Sequence, residues 1–246
     1  LNLDFESTCT AGTDTQLGQE ENPQGQTCLF EYDKKAASDI NLCPEHRNLS
    51  RRLACESMVL LENTGNVLPF SKNIRKLAVI GALADDAENF HGPWAFAGGR
   101  AEETVTILQG VKAALGQETE VVYAYGCDVQ PEASANGSDQ TCLDAAVDAA
   151  AQCDAVILVA GENLFMSGEA ASKAHLTLTG RQEELIRRVC AVGKPVAVVL
   201  VNGRPLEIGW LRELPCAVLE AWYPGTEGGH AVADIIFGKG NPSGHL

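Results

Sequence analysis

The 246-residue chain carries 33 acidic and 18 basic side chains, a formal charge of −15, which repels phosphate backbones and anionic headgroups and so argues against nucleic-acid binding and polybasic membrane docking. Hydrophobic residues at 45% and charged residues at 21% exclude a disordered chain and suit one or two packed domains. No apolar run reaches the about 18 residues needed to span a bilayer, and no signal peptide is visible after Leu1, so a soluble chain is expected.

Residues 1–45, rich in Gly, Gln, Thr, Asp and Glu without sustained periodicity, read as a loop-rich leader or linker, and residues 46–246 as one α/β domain. From Asn48, the residues Leu49, Leu53, Val59, Leu60 and Leu61 recur at nearly helical intervals, predicting a helix that Asn63-Thr64-Gly65-Asn66 stops. Beyond it, strands are predicted at Leu77–Gly81, Val121–Tyr125, Ala155–Ala160, Val196–Val201 and Ala217–Ala221. Helices are predicted at Thr104–Leu115, Leu143–Gln152, Gln182–Val192 and His230–Phe237, with a Gly/Ser/Asn-rich loop at Ala135–Ser138. Strands that are apolar throughout, without alternation, are buried on both faces. The expected class is therefore α/β, a doubly wound, mostly parallel sheet sandwiched between helices. Sites in such folds lie beyond the carboxyl ends of the strands. That directs attention to the loops Ala82–Gly99, Glu162–Thr179, Asn202–Leu206 and Trp222–Gly229.

Nine cysteines make an odd set with no Cys-x-x-Cys, and Cys153, Cys190 and Cys216 fall in apolar segments. They read as buried free thiols in a reducing, cytoplasmic setting, while Cys9, Cys28 and Cys43 in the leader are the ones able to pair in an oxidising compartment. The turn Gly81-Ala82-Leu83-Ala84 lacks a dinucleotide fingerprint, and no phosphate-binding Gly-x-x-x-x-Gly-Lys occurs. The glycines of Gly225-Thr226-Glu227-Gly228-Gly229 read as a tight turn and close packing of helix on strand, with anion binding as the alternative. The five histidines show no ligand spacing, so neither a metal nor a cofactor is expected. His91 and His175 sit in site loops, where each reads as a solvated or capping imidazole with a functional role as the alternative.

The stretch from Gly161 to His175 is the most informative. Glu169, after Gly168, lies in a loop long enough to press its carboxyl against a partner structure, and desolvation there would raise its pKa toward that of a proton donor. Pattern alone favours an ordinary solvated carboxylate. Lys173 would oppose such a shift unless the loop holds it elsewhere.

The wording of the chain then becomes specific. Arg52-Leu53-Ala54-Cys55-Glu56-Ser57-Met58-Val59-Leu60-Leu61-Glu62-Asn63, Val67-Leu68-Pro69-Phe70, Leu77–Asp85, Ser167-Gly168-Glu169-Ala170, Gly193-Lys194-Pro195, Asn202-Gly203-Arg204-Pro205-Leu206, Glu220-Ala221-Trp222-Tyr223-Pro224-Gly225-Thr226-Glu227-Gly228-Gly229 and Asn241-Pro242-Ser243-Gly244 follow one another in order. Together they closely resemble the second, α/β sandwich domain of glycoside hydrolase family 3, the β-glucosidase and β-xylosidase type, over residues 52–246. The resemblance implies a retaining, exo-acting β-glycosidase whose (β/α)8-type barrel supplies an Asp nucleophile from a Ser-Asp-Trp motif. The sandwich domain then supplies a general acid/base, here matched by Glu169. It further implies that Trp94 lines the leaving-group side of the pocket, where its indole can stack on a sugar, the alternative being a Trp packed under its own loop. Gly168, Lys173 and His175 are the remaining candidate substrate contacts, whereas Asn202–Pro205 and Trp222 are assigned structural roles at strand ends or a domain interface.

Three departures from the family pattern stand out. Ser172-Lys173-Ala174-His175 replaces a Ser-Arg-x-Asp arrangement, which puts the shape of the catalytic loop in question. Thr179 replaces a Pro and is a possible N-cap. A barrel needs about 200–250 residues, whereas only residues 1–51 precede the matching region, and Ser38-Asp39 and Ser138-Asp139 are not followed by Trp. The expectation is thus a domain-sized piece, inactive alone, whose partners are a β-glucoside or oligosaccharide and a barrel domain of the same protein. A non-catalytic carbohydrate-binding or interaction module on the same fold is the competing reading.

Overall fold

The computed structural model describes residues 15–21, 27–33, 40–71, 73–130 and 139–246. Residues 1–47 and 48–246 form separate compact units. In the first, β1 (Thr15–Glu21) and β2 (Thr27–Asp33) pair antiparallel, Thr15 opposite Asp33 and Glu21 opposite Thr27. The segment read as loop-rich therefore contains a hairpin, and the unit boundary falls two residues beyond the expected one.

The second unit is built on a six-stranded sheet. Its strands are β3 (Val59–Asn63), β4 (Lys76–Ile80), β5 (Glu120–Ala124), β6 (Ala155–Gly161), β7 (Val196–Val201) and β8 (Cys216–Glu220), ordered β3-β8-β7-β6-β4-β5. All pairs are parallel except β3 with β8. Among the parallel strands β4 is flanked by β5 and β6, so the winding direction reverses between β4 and β6. The region beyond the carboxyl ends of those two strands is where a site is expected in such a sheet.

Strands β4, β6, β7 and β8 bury both faces, as expected, whereas β5 at the sheet edge is only partly buried and exposes Tyr123. Leu77, Val79, Ile157, Val159, Val199 and Leu219 meet α1 (Pro44–Ser57), α2 (Ile107–Leu115) and α5 (Gly228–Ile236). Ala78, Ile80, Leu158, Val198, Leu200 and Val218 meet α3 (Asp139–Ala151) and α4 (Gln182–Cys190) on the other face. The buried Cys153, Cys190 and Cys216 belong to this second layer as free thiols. Of the leader cysteines, Cys43 is a free thiol, while Cys9 and the side chain of Cys28 lie outside the described residues, as does the predicted loop Ala135–Ser138.

The helix predicted from Asn48 ends at Ser57, and Val59–Asn63 is a strand. Three consecutive apolar residues fit neither period. Pairing with β8, more than 150 positions away, decides for extended backbone, with an irregular register between Leu60 and Glu62. Leu49 and Leu53 are exposed, and α1 instead buries Ala54 and Cys55. It docks through Arg51, whose guanidinium grips Asp234 of α5 at 2.5 and 2.6 Å. Helix α2 begins later than predicted because Thr106 caps it, accepting from the Gln109 N–H at 3.2 Å while the Gln109 side chain accepts from the Thr106 N–H at 3.1 Å. Thr179 is not the cap of α4. That position belongs to Arg181, and the Thr179 hydroxyl donates to the Val129 carbonyl.

The glycines of the Gly225–Gly229 segment do serve a turn and close packing, but helix against helix. A Cβ on Gly110 of α2 would lie 2.1 Å from the Gly229 carbonyl oxygen of α5. Alanine raises helix propensity over glycine by about 1 kcal/mol, whereas forcing two backbones apart costs about 1–3 kcal/mol or more. Gly110→Ala is therefore expected to destabilise the protein by about 1 kcal/mol net, read as a lower urea midpoint; an unchanged or raised midpoint would mean that the helices separate freely.

Candidate active site

The loops after β4, β6, β7 and β8 converge beyond the carboxyl edge of the sheet. The Leu164 N–H donates to the Asn89 side-chain oxygen at 2.7 Å, and the Gly225 N–H to the Phe90 carbonyl at 2.8 Å. Tyr223 sits between the loops, its hydroxyl donating to the Asn163 carbonyl at 3.0 Å. A Cβ on Gly92 or Gly203 would fall 2.3 or 2.6 Å from its ring. Burial, reinforced by the charge of Glu162, pushes the Tyr223 phenol up to about 12, so it stays a donor at physiological pH.

The loop after β6 is organised by Glu162, whose side chain is fully buried at the strand end. Lys173 Nζ reaches one carboxylate oxygen at 2.8 Å, and Arg204 Nε, from the loop after β7, reaches the other at 3.2 Å. Lys173 also donates to the Thr177 carbonyl at 2.6 Å. Arg204 also donates to the Met166 carbonyl and, at 2.8 Å, to the Ala171 carbonyl. Those carbonyls bracket Glu169.

Glu169 itself stands exposed on a turn between Gly168, at φ +100°, and Ala170, at φ +59°. Its carboxylate has no ion-pair or hydrogen-bond partner among the described residues. Gly168 is what lets the loops touch, since a Cβ there would lie 2.7 Å from Pro93 Cγ and 3.7 Å from Trp94 Cε2. Trp94 is 60% exposed and Phe165, four residues before Glu169, 76% exposed. The structure thus brings Gly168, the residue before Glu169 in the chain, against Trp94. His175 is exposed farther along the loop, and Lys173, expected beside the substrate, is turned inward to Glu162.

His91 has a structural place. Its Nε2 lies 2.6 Å from the Thr104 hydroxyl, its ring covers Gly99, and burial lowers its pKa. It borders a cleft of about 420 Å³ with Pro93, Arg100 and Leu164, a cleft whose walls do not include Glu169. Among the described residues no cluster of His, Cys, Asp and Glu could hold a metal ion.

Sequence reasoning missed Glu162, Tyr223 and Glu220. Their shared position at the first residues beyond strands, or at a strand's last residue, is the signal that could have found them. Glu220, 3% exposed at the end of β8, accepts from the Trp222 N–H at 3.0 Å and from the Asn202 side-chain amide at 3.4 Å. It thereby holds Trp222 at φ +56° and Asn202 where that amide also donates to the Arg204 carbonyl at 2.6 Å. Burial pushes the Glu220 carboxyl from its ordinary 4.5 up to about 7. Between those values the folded protein keeps a proton that the unfolded chain has released, so stability falls as pH rises through the window, by about 3 kcal/mol in all. Glu220→Gln is expected to leave stability nearly unchanged at pH 4.5 and to raise it at pH 8, read from denaturant midpoints; a variant equally or less stable at pH 8 would contradict this.

Residues 58–246 match the family described as glycosyl hydrolase family 3 C-terminal domain. A periplasmic β-glucosidase of Salmonella typhimurium is 39% identical over 215 residues, 82% of this chain and 28% of that protein. A β-xylosidase of Formosa agariphila is 39% identical over 206 residues, with the same shares. A solved β-glucosidase from Erythrobacter marinus is similar with a TM-score of 0.73 at 34% identity, over 85% of this chain and 30% of that one. For the Listeria innocua β-glucosidase in complex with gluconolactone the values are 0.71 and 34%, over 84% and 27%. The chain therefore spans 28% of the length of the first two relatives. With the family match covering most of the second unit, its parallel sheet included, the chain belongs to the C-terminal domain family of glycosyl hydrolase family 3.

Proposed function

We infer that this chain is the acid/base-bearing part of a retaining, exo-acting β-glycosidase that removes terminal β-linked sugars, with β-glucosides the expected substrates. Glu169 protonates the leaving oxygen and then, as carboxylate, takes a proton from the water that releases the sugar. The observation that carries this reading is the contrast between two glutamates of one loop. Glu162 is fully buried and ion-paired, whereas Glu169 is exposed without a partner, on a turn braced at both ends.

The nucleophile is assigned to an Asp on a (β/α)8-type barrel domain of the same protein, its carboxyl about 5–5.5 Å from that of Glu169 during catalysis. Trp94, exposed beside Gly168, offers a flat face to the leaving-group sugar, and His175 is close enough along the loop to contact it. Lys173 serves the loop rather than the sugar. The relatives named β-glucosidase and β-xylosidase support the substrate class. No helix among the described residues is long and apolar enough to cross a membrane. The free thiols favour a reducing compartment such as the cytoplasm, although the Salmonella relative is named periplasmic.

The exposed Trp94 and Phe165 also suit a carbohydrate-binding module without chemistry, and one experiment separates the two. In the full-length protein, Glu169→Ala is expected to lower kcat/KM on an unactivated β-disaccharide by about 10²–10⁴-fold. It should leave kcat/KM on 2,4-dinitrophenyl β-glucoside little changed, because that leaving group needs no proton, while added azide raises kcat. Unimpaired disaccharide hydrolysis in the variant would remove Glu169 from the mechanism; no turnover by the wild-type full-length protein would favour the binding module.

A further inference from the structure

The loop that bears Glu169 is long, exposed at its tip and free of regular hydrogen bonding between Ser167 and Gly180. Such a segment would not by itself hold a carboxyl to the fraction of an ångström that proton transfer in a glycosidase requires. What it has instead is one guanidinium. Arg204 sends a hydrogen bond to the Met166 carbonyl and one to the Ala171 carbonyl, three residues before Glu169 and two after it. Its remaining contact anchors this clamp to the sheet through Glu162 at 3.2 Å. Lys173 ties the descending limb to the same carboxylate at 2.8 Å and to the Thr177 carbonyl. Both cations are largely removed from solvent, with side-chain exposures of 19% for Arg204 and 15% for Lys173, so water does not loosen the arrangement.

We propose that Arg204, anchored on the buried Glu162, is the positioning residue of the catalytic turn, fixing the carbonyls on either side of Glu169 so that its carboxyl is presented at one place and angle. The proposal rests on the acid/base reading of Glu169 and assigns Arg204 no contact with the sugar. A planar fork is needed to reach two backbone carbonyls and one carboxylate at once. A lysine at this position keeps the charge but cannot span all three. Glu220 supports the clamp from behind, through the Asn202 amide that holds the Arg204 carbonyl.

The test uses the full-length protein and compares Arg204→Lys, Glu169→Ala and the double variant. Arg204→Lys is expected to lower kcat/KM on an unactivated β-disaccharide about 100-fold, with KM little changed. Its kcat/KM on 2,4-dinitrophenyl β-glucoside should stay near wild type, and the double variant should be no slower than Glu169→Ala alone. Equal losses on both substrates, or losses that multiply in the double variant, would overturn the proposal and leave Arg204 a general structural residue. A Glu169→Ala variant with unimpaired disaccharide hydrolysis would instead overturn the acid/base reading and the positioning role with it, a result recognisable without Arg204. If Arg204→Lys does not fold, Arg204→Gln, which removes the charge and keeps a single side-chain amide donor, takes its place: a loss confined to the disaccharide supports the assignment, and a loss shared by both substrates refutes it.

Discussion

The candidate site depends on one carboxylate that water does not reach. Glu162 leaves the end of β6 into the sheet's crevice with no exposed surface, and burying such a charge is tolerable only with partners in place. Lys173 and Arg204 supply them, and the positive charge beyond one unit is met by the carbonyls of Met166, Ala171 and Thr177. Losing one member of a buried ion pair costs about 3–5 kcal/mol. The cluster therefore has effectively one stable arrangement, and the course of the loop follows from it.

Around this cluster the remaining strand-end loops are locked by contact rather than by charge. Tyr223 presses on Gly92 and Gly203 at distances that exclude any side chain there, and its hydroxyl closes on Asn163. Two of the four non-glycine residues at positive φ among the described residues lie in the same region, Ala170 beside Glu169 and Trp222 beside Tyr223. Such conformations cost energy and persist where surrounding contacts over-determine them, here the Arg204 clamp on one side and the Glu220 hydrogen bond on the other. The rigidity of the crevice is thus distributed over four loops, although only one carries the proposed acid.

Much of the fold was legible in the chain itself. The apolar runs of β4, β6, β7 and β8 could satisfy themselves only inside a parallel sheet, and the four site loops followed from where those runs stop. Val59–Asn63 was not legible, because a short apolar run has no intrinsic choice between helix and strand and its partner β8 lies far along the sequence. The start of α2 was displaced because a cap depends on hydrogen bonds of two particular side chains, Thr106 and Gln109, rather than on periodicity. Glu169 stood out through the order of motifs around it, not through its own surroundings.

The sequence by itself determined the class of fold, the edge of the sheet where a site could form and the family to which the second unit belongs. It could do so because burial patterns and ordered motifs are properties of neighbouring residues. Only the tertiary structure decided which glutamate of the loop after β6 is spent and which is left available. Glu162 and Glu169 lie seven residues apart in one loop, and although Glu162 directly follows an apolar strand, its sequence neighbours do not show which partners it will meet. The difference comes from Arg204, 42 positions away on the next strand's loop, which reaches Glu162 only once β6 and β7 lie side by side.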